Sequence, residues 1–318
     1  MRRWKPYWIV LLLVLLVVMS ASARLGVVRY GWADLLQSDI FWNLRLPRIL
    51  LAVVTGAALS VCGAAYQSVF RNPLTDPYVL GISSGASLGA AVAILLGLEA
   101  YLLGVGACAL ATGLLTIVVI YRIASIGNRM HTTTLLLTGV CLTFLISAVV
   151  SFLMVLHQDK MDSIIFWTMG SFASATWMDV ALVAPVAVVG IAVVLFHCRD
   201  LNLLLAGSEA ARSMGVEVEK VKRVLLLATT LMVAFAVSSC GVIGFVGLIV
   251  PHAVRLVAGP DNRKVVPYSL LCGALFVLVC DTLARYVLRP SELPVGSLTS
   301  MVGAPLFIYL LYKNKKRC

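Results

Sequence analysis

Charge is what this sequence lacks most. Asp, Glu, Lys and Arg make up 12% of its 318 residues, while 61% are hydrophobic. A soluble globular chain carries roughly 25% charged residues, and a surface with so little charge cannot stay in water. No long polar stretch leaves room for a sizeable soluble domain. Acidic residues are scarcer than basic ones, 14 against 25. In a soluble protein that excess suggests nucleic acid. Here the basic residues are scattered through short loops, which argues against a nucleic-acid partner and fits the cytoplasmic loops of a membrane protein.

Cofactor chemistry is missing too. Cys62, Cys108, Cys141, Cys240, Cys272 and Cys280 lie inside apolar runs, no C-x-x-C pair occurs, and His131, His157, His197 and His252 are far apart. Zinc spacing is therefore absent, and a free Cys in such a run behaves as a small hydrophobe. No convergent set of nucleophile, base or metal ligands suggests an enzyme, and no cofactor is expected.

What the chain has in abundance is uncharged apolar sequence. Crossing a bilayer core takes about 20 helical residues. Runs of about that size cover 7–23, 49–69, 78–98, 100–121, 132–156, 180–198, 265–280 and 293–312. A further run, 224–254, holds 31 residues without a charge, with Gly241, Gly244, Gly247 and Pro251 in its second half. As one helix it would be about 46 Å long, too long for a hydrocarbon core of about 30 Å, and two full passes need about 40 residues. The composition predicts a full helix, a Gly-rich break and a short return. Broken backbone at membrane depth must be covered by protein or line a cavity, so the return should lie inside the bundle.

The reading is an all-α polytopic protein of about ten transmembrane elements. One transmembrane domain fills 1–318: six helices within 7–198, a cytoplasmic stretch at 199–223 and four helices within 224–312. Basic clusters precede the first helix and follow the fourth, the sixth, the return and the last. With ten crossings all five fall on one side, which makes that side cytoplasmic. A basic start, an apolar run and Ala21-Ser22-Ala23 also imitate a cleavable secretory signal. Cleavage would leave nine elements; retention keeps five per half, as an inverted five-plus-five repeat requires. The stretch Gly81-Ile82-Ser83-Ser84-Gly85-Ala86-Ser87-Leu88-Gly89 suits either close helix packing or the lining of a passage for a large polar solute.

Three segments go beyond membrane character. Arg45-Leu46-Pro47-Arg48 opens the second helix and leads to Asn72-Pro73-Leu74-Thr75-Asp76-Pro77. The 199–223 stretch is the longest charged segment on the cytoplasmic side. Gly244-Phe245-Val246-Gly247-Leu248-Ile249-Val250-Pro251-His252 continues to Glu292-Leu293-Pro294-Val295-Gly296. In this order, from about Arg45 to the end, these segments resemble the FecCD family of ABC transporter permeases. That family imports iron–siderophore complexes, haem or vitamin B12 (cobalamin) through the inner membrane. The resemblance implies a homodimer, a separate cytoplasmic ABC ATPase, and a periplasmic or lipid-anchored substrate-binding protein. The residues agree independently on one point: no G-x-x-x-x-G-K-[ST] occurs, so any ATP must be held by a partner.

The resemblance also assigns sites. Residues 208–215 look like a short amphipathic helix ending at a Gly cap and match the family's ATPase-coupling segment, which gives coupling roles to Gly207, Glu209, Ala211, Arg212 and Gly215. Ser208 stands where relatives often have an acid. Arg45, Arg48 and Arg285 match outer arginines that dock the binding protein; snorkelling to lipid phosphates is the plainer reading of these three. Thr132 and Thr133 match hydroxyl residues that narrow the inner end of the pathway, though Thr at a helix start is often only a cap. Asp281 lies four residues before Arg285, a spacing that eases the burial of both charges. An ion-coupled secondary transporter is the rival reading. It would want an embedded carboxylate as a relay, and Asp281 is near a helix end with an arginine partner.

Overall fold

The computed structural model describes residues 7–25, 38–101, 104–126, 129–130, 132–287 and 291–315. Among these the elements are helical, apart from a two-residue ladder pairing Ser125–Ile126 with Arg129–Met130. In chain order the α-helices are α1 Tyr7–Arg24, α2 Leu46–Val69, α3 Ile82–Leu95, α4 Gly104–Ala124 and α5 Thr132–Leu156. Then come α6 Met161–Thr168, α7 Trp177–Phe196, α8 Cys198–Ala206, α9 Ser208–Ser213 and α10 Val218–Cys240. The chain closes with α11 Val246–Ala258, α12 Asn262–Val287 and α13 Val295–Lys315. Seven of the described helices are long and apolar enough to cross a membrane: α1, α2 with the π turn before it, α4, α5, α7, α10 and α12. The shorter apolar helices are α3, α11 and α13.

The bundle is built around α2, which is buried along most of its length. Its partner α12 runs antiparallel to it in a fixed register. Arg48 meets Asp281, Gly56 meets Gly273, Ser60 donates to the Ser269 carbonyl, and Ser68 meets Asn262. A Cβ on Gly56 would run into the Gly273 carbonyl, and one on Gly273 would strike Ser60. Small residues at the crossing let the backbones approach, which is how helices gain packing energy where the lipid itself is apolar. Gly85 and Gly89 of α3 face Thr116 and Thr112 of α4 in the same way. Close packing therefore accounts for these two glycines of the 81–89 stretch.

The 31-residue uncharged run folds as its composition predicts. Helix α10 ends at Gly241 (φ +70°), the chain breaks over 241–245, and α11 returns as a short helix. Phe245 holds φ +67° as a non-glycine residue, a conformation costing about 1–3 kcal/mol that packing must maintain. Gly303 of α13 provides the space, since a side chain there would strike Phe245 and Ile249. Val246, Gly247, Ile249, Val250 and His252 are buried, and Gly63 of α2 lies against Gly247.

The two ends of α2, about 35 Å apart by helical rise, carry different polar networks. At its carboxy end, Arg255 of α11 donates to the Ala64 carbonyl, to Ser68 and to the side-chain oxygen of Asn262. At its amino end sit the arginines. The end of α1 is held there, because Arg45 donates to the Ala23 carbonyl and Arg285 and Thr282 both reach Ser22.

Candidate coupling segment and outer arginine cluster

The 199–223 stretch holds most of α8, all of α9, a tight turn and the first turns of α10. Helix α8 buries Cys198, Leu201 and Leu204 against the bundle. Gly207 (φ +123°) then redirects the chain into α9. Helix α9 stops as sequence reasoning predicts, at Gly215 with φ +84°. The Val216 amide donates to the Ala211 carbonyl at 3.0 Å and the Gly215 amide to the Arg212 carbonyl at 2.9 Å. This reciprocal pattern is a Schellman cap, and it needs a residue that tolerates the left-handed region.

The five residues assigned to this segment do not share one environment. Arg212 donates to Glu209 at 3.1 Å and to Glu219 at 3.2 Å, pinning α9 to the first turn of α10. Glu209 is 88% exposed in its side chain. Gly215 has open space where a side chain would be, and Met214 beside it is exposed. Ala211, by contrast, is fully buried within the chain. The outward face of the segment therefore runs through Glu209, Arg212, Met214 and Gly215. Ala211 anchors α9 from beneath, and a larger residue there would disturb folding before it met any partner. Beside this face lies a cleft of about 510 Å³ between Phe196, Leu203, Met214, Glu217 and Val221.

Arg45, Arg48 and Arg285 do gather at one end of the bundle, but not as free surface cations. They are 8%, 8% and 7% exposed. Arg48 donates twice to one Asp281 oxygen, at 2.9 and 2.8 Å, and once to Glu292 at 2.8 Å. Arg285 approaches the other Asp281 oxygen at 3.1 Å. Their guanidinium groups are turned into the bundle's own acceptors. Burying three guanidinium groups requires internal acceptors, and Asp281, Glu292 and the end of α1 supply them. The Asp281–Arg285 pairing was legible from their spacing. Glu292 and Ser22 stand in segments the sequence already marked, but nothing there identified them as arginine acceptors beyond the need of buried arginines for partners.

Thr132 and Thr133 open α5, the first half-buried and the second exposed. His131 lies outside the described residues. No group of three or more potential metal-binding side chains occurs among the described residues.

Comparison with known proteins decides the class. Residues 7–313 match the FecCD transport family. The chain belongs to that family. A cobalamin import system permease of Halobacterium salinarum is 45% identical over 87% of this chain and 74% of its own length. A hemin transport system permease of Yersinia pestis is 38% identical over 96% of this chain and 95% of its own. The fold superimposes on a metal-chelate type ABC transporter solved in an inward-facing conformation, with a TM-score of 0.88, 31% identity, and coverage of 98% and 100% of the two chains. This FecCD chain is thus an ABC importer permease, a multi-pass protein of the inner membrane. FecCD permeases work with an ATPase and a substrate-binding protein.

Proposed function

We propose that two copies of this chain enclose a route for a metal chelate or corrinoid: cobalamin, haem or an iron–siderophore complex. Each copy contributes ten crossings in an inverted five-plus-five arrangement. A separate ATPase engages the outward face of 207–215 and drives alternation between inward- and outward-facing states. The observation that carries this reading is the coupling segment. A capped six-residue helix presents Glu209, Met214 and Gly215 outward while Ala211 and the Arg212–Glu219 pair tie it to the bundle. Thr132 and Thr133 stand at the proposed inner gate. The end bearing Arg45, Arg48 and Arg285 is the proposed binding-protein face, its shape set by the buried network and its accessible charge by the exposed Glu292.

Among the described residues the one fully buried carboxylate, Asp281, is held between two arginines, which weighs against the rival ion-coupled reading. Reconstitution of the native complex, purified through a tagged chain, tests the proposal with cyanocobalamin, haemin and ferrichrome. Uptake of one of these that requires ATP inside and a binding protein outside is expected. Uptake driven by an ion gradient without ATP would replace this reading with the ion-coupled one.

A further inference from the structure

Five residues before Gly207, in the middle of α8, Asn202 reaches across to the start of α12 with both halves of its amide. Its nitrogen donates to the Asp261 carboxylate at 2.7 Å, and its oxygen accepts from the Asn262 backbone amide at 2.8 Å. Asp261 also accepts from the Arg263 amide at 3.0 Å as the cap of α12. The fully buried Asn262 side chain then accepts from Arg255 at 2.8 Å and from Ser68 at 3.1 Å. Arg255 closes the corner by donating to the Pro260 carbonyl at 3.2 Å. A continuous set of hydrogen bonds thus leads from α8 to the α11–α12 corner and on to α2.

This geometry distinguishes two routes out of the 207–215 segment. One is the covalent path forward into α10. The other runs back through α8, whose buried apolar stripe of Leu201 and Leu204 permits small sliding but fixes no direction. The paired hydrogen bonds of Asn202 are directional, so a shift of α8 must carry the first turn of α12 with it or break both. We propose that Asn202 is the positioning residue through which displacement of the 207–215 segment reaches the α11–α12 corner, so that α10 and α12, on either side of the segment, move together. The inference rests on the reading of 207–215 as the ATPase-docking segment.

Amide hydrogen exchange of the 259–265 backbone, measured on the native permease–ATPase complex with and without Mg-ATP, tests it. In the parent complex Mg-ATP is expected to change that exchange by about threefold or more. Asn202→Asp, which sets two carboxylates against each other, should lose the response while the ATPase stays bound and hydrolyses ATP. Asn202→Asp combined with Asp261→Asn restores a donor–acceptor pair and should restore the response. Asn202→Ser provides a second single variant should Asn202→Asp fold poorly. A residue that merely capped α12 would raise exchange equally in both states and leave the ATP response intact. Such a result, or a parent complex whose 259–265 exchange ignores Mg-ATP, overturns the proposal. Failure of any ATPase to remain with the parent chain would instead overturn the docking assignment of 207–215.

Discussion

Arg48 and Asp281 face each other across the α2–α12 interface, with two guanidinium nitrogens 2.9 and 2.8 Å from a single carboxylate oxygen. They are 233 residues apart in sequence. The pair clamps one end of the central helix, and the second Asp281 oxygen is left to Arg285. One buried acid is thus shared by arginines from two helices, and Glu292, less buried, supplies the second negative charge.

Removal of Asp281 should therefore cost far more than removal of Glu292. Asp281→Asn strands Arg48 and Arg285, and breaking a buried pair destabilises by about 3–5 kcal/mol. Glu292, a third exposed in its side chain at 33%, behaves as a partly solvated partner, and Glu292→Gln should cost about 0.2–1 kcal/mol. Thermal unfolding of the two variants in detergent checks the order. Equal melting temperatures would show that Asp281 does not hold the clamp.

The helix crossing gives a sharper steric test. Gly56→Ala places a methyl group against the Gly273 backbone and should destabilise by about 1–3 kcal/mol. At Gly244 the nearest group to an added methyl is the Ser300 hydroxyl at 3.5 Å, so Gly244→Ala should stay within about 0.5 kcal/mol of the parent. Comparable losses in both variants would mean that bulk at the α2–α12 crossing is not what matters.

At the coupling segment, bulk and backbone strain can be separated. Gly215→Ala and Gly215→Trp carry the same left-handed penalty, about 1 kcal/mol, and in both the added Cβ meets no neighbour within the chain. Only the tryptophan should stop ATPase co-purification, while both chains insert normally. Retention of the ATPase by Gly215→Trp would remove Gly215 from the docking face. Ala211→Arg cannot serve this purpose because Ala211 is buried.

Asp261 sets an acid dependence. Burial disfavours its charge, but the Asn202 and Arg263 hydrogen bonds and the positive charges of Arg263 and Lys264 outweigh that, holding its carboxyl below the usual range. The folded value lies below the unfolded one, so the stabilisation is complete above the unfolded value and disappears as pH falls through the folded one. The melting-temperature gap between the parent and Asp261→Asn should narrow below about pH 4. A gap of constant width would exclude this linkage.

Much of this was legible beforehand for definite physical reasons. The break between α10 and α11 was readable because 31 uncharged residues are too many for one pass and too few for two. The end of α9 was readable because a glycine after an amphipathic turn has one favoured use, the left-handed cap that Gly215 makes. The outer arginines were legible as a group but not in their orientation. Their docking role rests on the resemblance alone, whereas the direction of their side chains depends on Asp281, Glu292 and the backbone at the end of α1, which no local pattern links to them.

What the sequence by itself determined is the solvent, the helices and the class: uncharged runs of bilayer length admit little else, and four ordered motifs name the family. What only the tertiary structure decided is which polar groups face each other. The α2–α12 register sets Arg48 on Asp281 and Ser68 beside Asn262, and the turn of α8 sets Asn202 on Asp261. Periodicity reports which face of a helix is buried. It carries no information about the partner across the interface, because that choice is made by backbone approach at glycines such as Gly56 and Gly273 and by the need of each buried charge for an acceptor.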